Sequence, residues 1–157
     1  MSSWIAIFLT LLIAIILALL PMPEWTAWLR PAWVLMVLMY WAIMAPNLVG
    51  VGVAWTLGLI LDLLDGTLLG EHALAFTIII YFVSRLHIRL RMFPLLQQGF
   101  CVFLFILLYQ FIVYCIQGFI GQLPASQLYW LSSVTSLILW PWLFVVMRDC
   151  RRWFNVA

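Results

Sequence analysis

Six apolar segments, separated by breaks that contain proline, glycine or charge, make up 102 of the 157 residues. The longest of them, Leu95–Ile116, contains no charged side chain. About 20 apolar residues in a helix are enough to cross the hydrocarbon core of a bilayer. A helix also satisfies its backbone hydrogen bonds internally, as a membrane interior requires. We therefore predict an all-α integral membrane protein, a single domain with six transmembrane helices.

Charge is too sparse for a water-facing surface. Only 8% of the 157 residues are charged, against about 25% in a soluble domain. The predicted spans are Trp4–Leu20, Ala32–Ala45, Leu48–Leu64, Ala73–Ser84, Leu95–Ile116 and Leu128–Met147. The second span is short for a full crossing. Because a tight turn at Pro46-Asn47 joins it to the third, we expect these two spans to form an antiparallel hairpin.

Arginine predicts the orientation, since the chain contains no lysine. All arginines except Arg30 lie after span four or in the C-terminal tail, namely Arg85, Arg89, Arg91, Arg148, Arg151 and Arg152. With six spans both termini lie on one side, and the positive-inside rule places them in the cytoplasm. These arginines would serve topology alone, which we favour, or contact anionic lipid or cytoplasmic partners. The net charge of +2 is too small to indicate nucleic-acid binding.

One segment, Gly50–His72, combines small residues with charge. A small or acidic residue recurs at every fourth position: Gly50, Ala54, Gly58, Asp62, Gly66 and Gly70. Small residues at this spacing let helix backbones approach closely in lipid. The favoured interpretation is internal packing against span two or span four, and the alternative is a docking groove for a partner's helix. We expect the bundle to be assembled around this segment.

Two carboxylates stand out in this segment. Asp62 and Asp65 are three residues apart and share a helix face. A carboxylate at the bilayer centre costs about 2.5–3.5 kcal/mol and less near the interface. We therefore expect a partner for this pair: Arg30, His72 or the N-terminus of another helix. A structural role in fixing the outer turn is favoured over partner binding and over proton or ion chemistry.

The sequence contains no motif of a known catalytic or metal centre. Glu71 and His72 are adjacent and point in different directions on a helix, with no second histidine nearby. Glu71 instead suits a helix N-terminus, where it complements the dipole. The three cysteines form no CxxC pair, which disfavours a disulfide framework or a zinc site. We predict no enzymatic activity, no cofactor and no metal.

Four sequence motifs occur in a characteristic order over nearly the whole chain. They are Arg30-Pro31-x-Trp33-Val34-Leu35, Tyr40-Trp41, Gly58-x-x-x-Asp62-x-x-x-Gly66-x-x-x-Gly70, and Leu139-Trp140-Pro141-Trp142 followed by a basic tail. With these motifs the chain resembles the rod shape-determining protein MreD family of Gram-negative bacteria.

The resemblance implies a non-enzymatic, multi-pass scaffold in the bacterial inner membrane, a component of the cell-elongation machinery that regulates cell shape. Such a protein binds MreC, a single-span protein with a periplasmic domain. It thereby links MreB filaments to the peptidoglycan synthases, RodA and its partner transpeptidase, directly or indirectly. The family's six-helix fold is similar to the substrate-binding subunits of energy-coupling-factor transporters. That likeness keeps an alternative open: a small-molecule or lipid-binding subunit with an outward cavity lined by Asp62 and Gln110.

The predicted partner-binding or cavity-binding residues follow from the stripe, the acidic turn and these motifs. They are Gly50, Ala54, Gly58, Asp62, Asp65, Gly66, Gly70, Arg30 and Gln110. On the fifth span, Gln110, Tyr114 and Gln117 have a spacing that puts them on one helix face.

Overall fold

A computed structural model describes residues 2–19, 33–45, 48–65, 70–119, 121 and 131–153. The helices are α1 (Ser2–Leu19), α2 (Trp33–Met44), α3 (Val51–Asp65), α4 (Glu71–Arg85), α5 (His87–Met92), α6 (Leu95–Phe119) and α7 (Leu131–Trp153). All regular structure in these residues is helical, so the all-α class is confirmed. Arg30 and Gly66 lie outside the described residues.

The centre of the bundle is α2. Every residue from Val34 to Met44 is buried, and α2 contacts α1, α4, α5, α6 and α7. A helix that is apolar all round has no face to turn outward and is therefore buried by its neighbours. The prediction that the bundle is assembled around Gly50–His72 is wrong. The helix that carries this stripe, α3, packs mainly against α4. The antiparallel hairpin of spans two and three stays a prediction.

Two adjacent aromatic residues connect α2 to other helices. Trp41 Nε1 donates a hydrogen bond to the Thr10 hydroxyl of α1 at 2.9 Å. The Tyr40 ring lies edge-on to Phe144 of α7, with 5.5 Å between centroids. Both rings are fully buried. The Tyr40-Trp41 motif therefore fixes α1 and α7 to the central helix.

The lengths and outer faces of the helices suit a lipid environment. Two described helical stretches, Leu95–Phe119 and Ser133–Trp153, are long and apolar enough to cross a membrane, whereas α2 belongs to a group of shorter apolar helices. Large apolar side chains such as Phe8, Leu63 and Ile138 are exposed on the outside. With 12 residues, α2 is about 18 Å long. In a bilayer it would not need to match the membrane thickness, because neighbouring helices cover it on all sides.

The charged side chains gather at two ends of the bundle. Arg91 contacts the last carbonyls of α2, and Arg148 and Arg151 lie within electrostatic range of Tyr40 near the same end of α2. Asp62 and Glu71 lie at the opposite end of α4 from Arg85. We call the two the arginine end (Arg85, Arg89, Arg91, Arg148, Arg151, Arg152) and the acidic end (Asp62, Glu71).

Arg91 has a structural task that distinguishes it from its neighbour Arg89. Its Nη2 donates to the carbonyls of Ile43 at 2.8 Å and Met44 at 3.3 Å. A cation at a helix C-terminus satisfies free carbonyls and complements the dipole.

We expect Arg91→Met to lower the free energy of unfolding by about 1 kcal/mol, because these charged hydrogen bonds are lost. The measurement is a denaturation titration with sodium dodecyl sulfate in lipid-free mixed micelles. Arg89→Met removes the same charge from the same short helix and serves as the control. Equal stability of the two variants would contradict the capping role.

Candidate functional site

The backbones of α3 and α4 approach each other closely at Gly58. A Cβ placed on Gly58 would overlap the backbone N and Cα of Ala73 and would lie 2.7 Å from the carbonyl carbon of His72. Ala54, one turn earlier on the same face, is fully buried. Gly58 therefore allows backbone-to-backbone packing, which no other residue type could do at this position without moving a helix.

One turn beyond Gly58 on α3, the carboxylate of Asp62 contacts the N-terminus of α4. Its Oδ2 accepts from the backbone N–H of Gly70 at 2.9 Å, and its Oδ1 accepts from the backbone N–H of His72 at 2.9 Å. The Nδ1 of His72 is 2.7 Å from Oδ1. Because a carboxylate oxygen only accepts, Nδ1 is the donor in this contact. We call the carboxylate of Asp62 with the donors of Gly70 and His72 the Asp62 cap.

The Asp62 cap explains how a carboxylate can be only 1% exposed in an apolar bundle. Free N–H groups and the positive end of a helix dipole stabilise an anion. The side chain of aspartate is short, so it reaches α4 only because Gly58 brings the two helices together. The His72 ring is held in turn by Phe76 and Tyr109, with centroids 6.0 and 6.1 Å away.

Gly70 and Glu71 complete the acidic end. Gly70 precedes α4 with φ +99°, in the left-handed region that favours glycine. Glu71 is the first residue of α4, as predicted, and only 2% of it is exposed. Its Oε1 accepts from Gln117 Nε2 of α6 at 3.1 Å. The adjacent residues Glu71 and His72 thus point toward different helices, α6 and α3.

The structure brings together some predicted site residues and leaves others apart. Ala54, Gly58, Asp62 and Gly70 meet at the α3–α4 contact. A Cβ on Gly50 would meet no atom within 4 Å. Asp65 is the last residue of α3, and Gln110 is buried on α6. Binding of a partner by these residues stays a prediction, as it does for Arg30 and Gly66.

A second row of small residues on α3 was missed by the sequence reasoning. Gly52 and Thr56 lie on the face opposite to Ala54 and Gly58, and both are exposed. A Cβ on Gly52 would meet no atom within 4 Å. The Thr56 hydroxyl donates to the Gly52 carbonyl at 2.9 Å, so it leaves no unpaired donor. Gly52 and Thr56 each lie two residues from Ala54 of the predicted stripe, and this spacing places them on the opposite face of a helix. That spacing could have revealed the outer row.

The outer row borders an open apolar cleft between α1 and α3. The cleft has a volume of about 350 Å³. From α1 it is lined by Trp4, Phe8 and Leu11, and from α3 by Gly52, Thr56 and Ile60. The helices α1 and α3 make few backbone contacts with each other. The walls of the cleft are mostly apolar and include the small residues Gly52 and Thr56.

The acidic end does not form a metal centre in the part of the chain that the structure describes. No group of three or more histidine, cysteine, aspartate or glutamate side chains there could hold an ion.

Comparisons with known proteins agree with the resemblance inferred from the motifs. A family model described as rod shape-determining protein MreD matches residues 1–150. Rod shape-determining protein MreD of Haemophilus influenzae is 34% identical over 153 residues, which cover 96% of this chain and 93% of that protein. No solved structure matches. The resemblance is therefore confirmed.

Proposed function

This chain belongs to the MreD family of rod shape-determining proteins, and we propose that it acts as a non-enzymatic membrane scaffold that binds MreC. The family is one of structural, shape-determining proteins. In the proposed role the protein connects MreB filaments, directly or indirectly, to the peptidoglycan synthases RodA and its partner transpeptidase. The observation that carries the proposal is the open cleft between α1 and α3.

The cleft is a better docking surface for the single span of MreC than the inner row of α3, which consists of Ala54 and Gly58. Ala54 and Gly58 are occupied by α4, whereas Gly52 and Thr56 are exposed in the cleft. Helices associate in lipid through small residues that permit close van der Waals contact. We therefore place the docking surface on the outer row, and we assign to the inner row and the Asp62 cap the task of holding α3 in position.

We further propose six crossings of the inner membrane with the arginine end in the cytoplasm. The separation of arginine and acidic ends supports this orientation through the positive-inside rule. The Asp62 cap then lies at the periplasmic face, and both termini are cytoplasmic. The proposed likeness to substrate-binding subunits of energy-coupling-factor transporters concerns the fold only. Burial of both Asp62 and Gln110 favours the scaffold over the ligand-binding alternative.

Cysteine crosslinking tests the docking surface. In a variant with Cys101, Cys115 and Cys150 replaced by serine, single cysteines are introduced by Gly52→Cys and Thr56→Cys and paired with a cysteine ladder along the span of MreC. We expect disulfides from both outer-row positions, one helical turn apart on the partner as well, because a docked helix keeps its register.

The matched control is Ala54→Cys, two residues from each of these positions on the same helix. We expect no disulfide from this inner-row position, because it is fully buried. Crosslinks from Ala54→Cys alone, or none from either row with crosslinks elsewhere, would overturn the proposed docking surface.

A further inference from the structure

A second apolar groove lies at the arginine end, between α5 and α6. It has a volume of about 350 Å³, within the range of small-ligand pockets, about 300–1,000 Å³. Leu86, Arg89 and Phe93 line one side, and Cys101, Leu104 and Leu108 of α6 line the other. All of its walls except Arg89 are apolar or weakly polar, so the groove offers one cation beside an apolar channel.

The short helix α5 is held so that Arg89 lines this groove. Leu90 is buried, and its carbonyl accepts from Gln98 Nε2 at 2.9 Å. Arg91 points to the C-terminus of α2. These contacts fix the inner faces of α5. The side chains of Ile88 and Met92 are 64% and 78% exposed, so α5 also presents apolar residues outward, as a helix at a membrane surface does.

The charge of Arg89 is available for an external anion. The ion pair between His72 and Asp62 lies at the acidic end, away from Arg89. Arg85, one turn away, lies over the Tyr81 ring at 5.2 Å. The arginine end as a whole holds six arginines against one carboxylate, that of Asp149. An anionic ligand is therefore favoured both locally and by the surrounding field.

We propose that this groove binds one anionic phospholipid, with an acyl chain between α5 and α6 and the phosphate on the guanidinium of Arg89. Charge complementarity selects the headgroup, and the apolar walls select the chain. Guanidinium and phosphate form charge-assisted, often bidentate hydrogen bonds. The cytoplasmic leaflet carries anionic lipid, which basic residues at its surface attract. The inference rests on the membrane placement proposed above and not on the docking of MreC.

Native mass spectrometry of the full chain, released from detergent in the presence of phosphatidylglycerol or of phosphatidylethanolamine with the same acyl chains, tests the site. We expect one phosphatidylglycerol to be retained about tenfold more tightly than phosphatidylethanolamine. Arg89→Gln should abolish that preference. Arg152→Gln removes an exposed arginine that does not line the groove and should retain it.

A second variant tests the apolar wall independently of charge. Leu104 is 49% exposed, so Leu104→Trp fills the groove without a change in the core, and it should lose phosphatidylglycerol although Arg89 remains. Ile138→Trp makes a similar change at an exposed position of α7 and should bind like the natural protein. An excess of inorganic phosphate should leave the lipid bound.

Each opposite result overturns the site. Equal retention of phosphatidylglycerol by the natural chain, Arg89→Gln and Leu104→Trp would mean non-specific annular lipid only. Equal retention of the two lipids would remove the role of charge, and displacement by inorganic phosphate would indicate an anion site without a lipid groove. Because MreC is absent from this experiment, such a failure leaves the outcome of the crosslinking test unaffected.

Discussion

Gly58→Ala is expected to lower the free energy of unfolding by about 3 kcal/mol or more, a large effect for the addition of one methyl group. Overpacking in a well-packed interior costs about 1–3 kcal/mol, and more where backbone must move. At Gly58 the new methyl group meets backbone atoms of Ala73 and His72. No rotamer change can relieve this overlap, so α3 and α4 must move apart. The measurement is detergent denaturation in mixed micelles, followed by tryptophan fluorescence.

The chain offers a matched control on the same helix. Gly52 is also a helical glycine, but a Cβ there enters open space. Gly52→Ala should therefore leave stability unchanged or raise it by up to about 1 kcal/mol, the difference in helix propensity. Of the two identical substitutions, only the one at Gly58 is expected to be destabilising. Equal denaturation midpoints for the two variants would contradict the close approach of the two helices at Gly58.

A suppressor experiment separates a backbone clash from a side-chain clash. If the methyl group of Gly58→Ala met the side chain of Ala73, the second change Ala73→Gly would restore stability. Because the contact is with the N and Cα atoms of Ala73, we expect no restoration. Recovery of stability in the double variant would mean that the helices are farther apart than the structure has them.

The helical class could be predicted from the sequence, but the arrangement around α2 could not. The longest apolar run, Leu95–Ile116, is long enough to be identified as a helix by itself, and it lies within α6 (Leu95–Phe119). The central helix α2 was interpreted as a short span. Its uniform apolarity was the available signal, because a helix without a polar face is covered on all sides. Which neighbours cover it depends on contacts between distant segments.

The acidic end was partly predictable. The cost of a buried carboxylate indicated that Asp62 needs a partner, and both His72 and a helix N-terminus were among the candidates. The structure combines these two in one site. The left-handed conformation of Gly70 could not be derived, because it follows from the position of α4 and not from local propensity.

Residues of one type also differ in role in ways that the sequence does not reveal. Gly52 and Gly58 belong to one helix, yet one lines a cleft and the other contacts a backbone. Arg89 and Arg91 belong to one basic run, yet one lines a groove and the other caps α2. In both pairs an offset of a few residues changes the helix face, and tertiary packing decides which face is covered.

Asp62→Ala is expected to lower the free energy of unfolding by about 3–5 kcal/mol, the cost of removing one partner of a buried charged contact. The substitution leaves the donors of Gly70 and His72 without their acceptor inside the bundle. Asp62→Asn keeps the side-chain volume and one carbonyl oxygen, but its amide NH₂ group would face an N–H donor of Gly70 or His72. We therefore expect an intermediate loss of unfolding free energy, about 1–3 kcal/mol. Asp149→Ala removes an exposed carboxylate at the other end and should stay within about 0.5 kcal/mol of the natural chain.

A double-mutant cycle measures the contact between the two side chains directly. His72→Ala should be destabilising in the natural chain and much less so in the Asp62→Ala background. The expected coupling energy is about 1–3 kcal/mol, as for residues in one hydrogen-bonded network. Additive losses would mean that the His72 ring does not depend on the carboxylate.

The Asp62 cap should also control the docking surface from the other side of α3. Gly52 and Thr56 are untouched by Asp62→Ala, but the helix that carries them loses its attachment to the N-terminus of α4. We therefore expect a lower yield of disulfide crosslinks between the outer row and the span of MreC. The crosslinks should also be spread over more positions of the partner. Hydrogen exchange at the first turn of α4 should rise in the same variant and not in Asp149→Ala. An unchanged crosslinking pattern together with faster exchange would separate the cap from docking and restrict its role to the stability of α4.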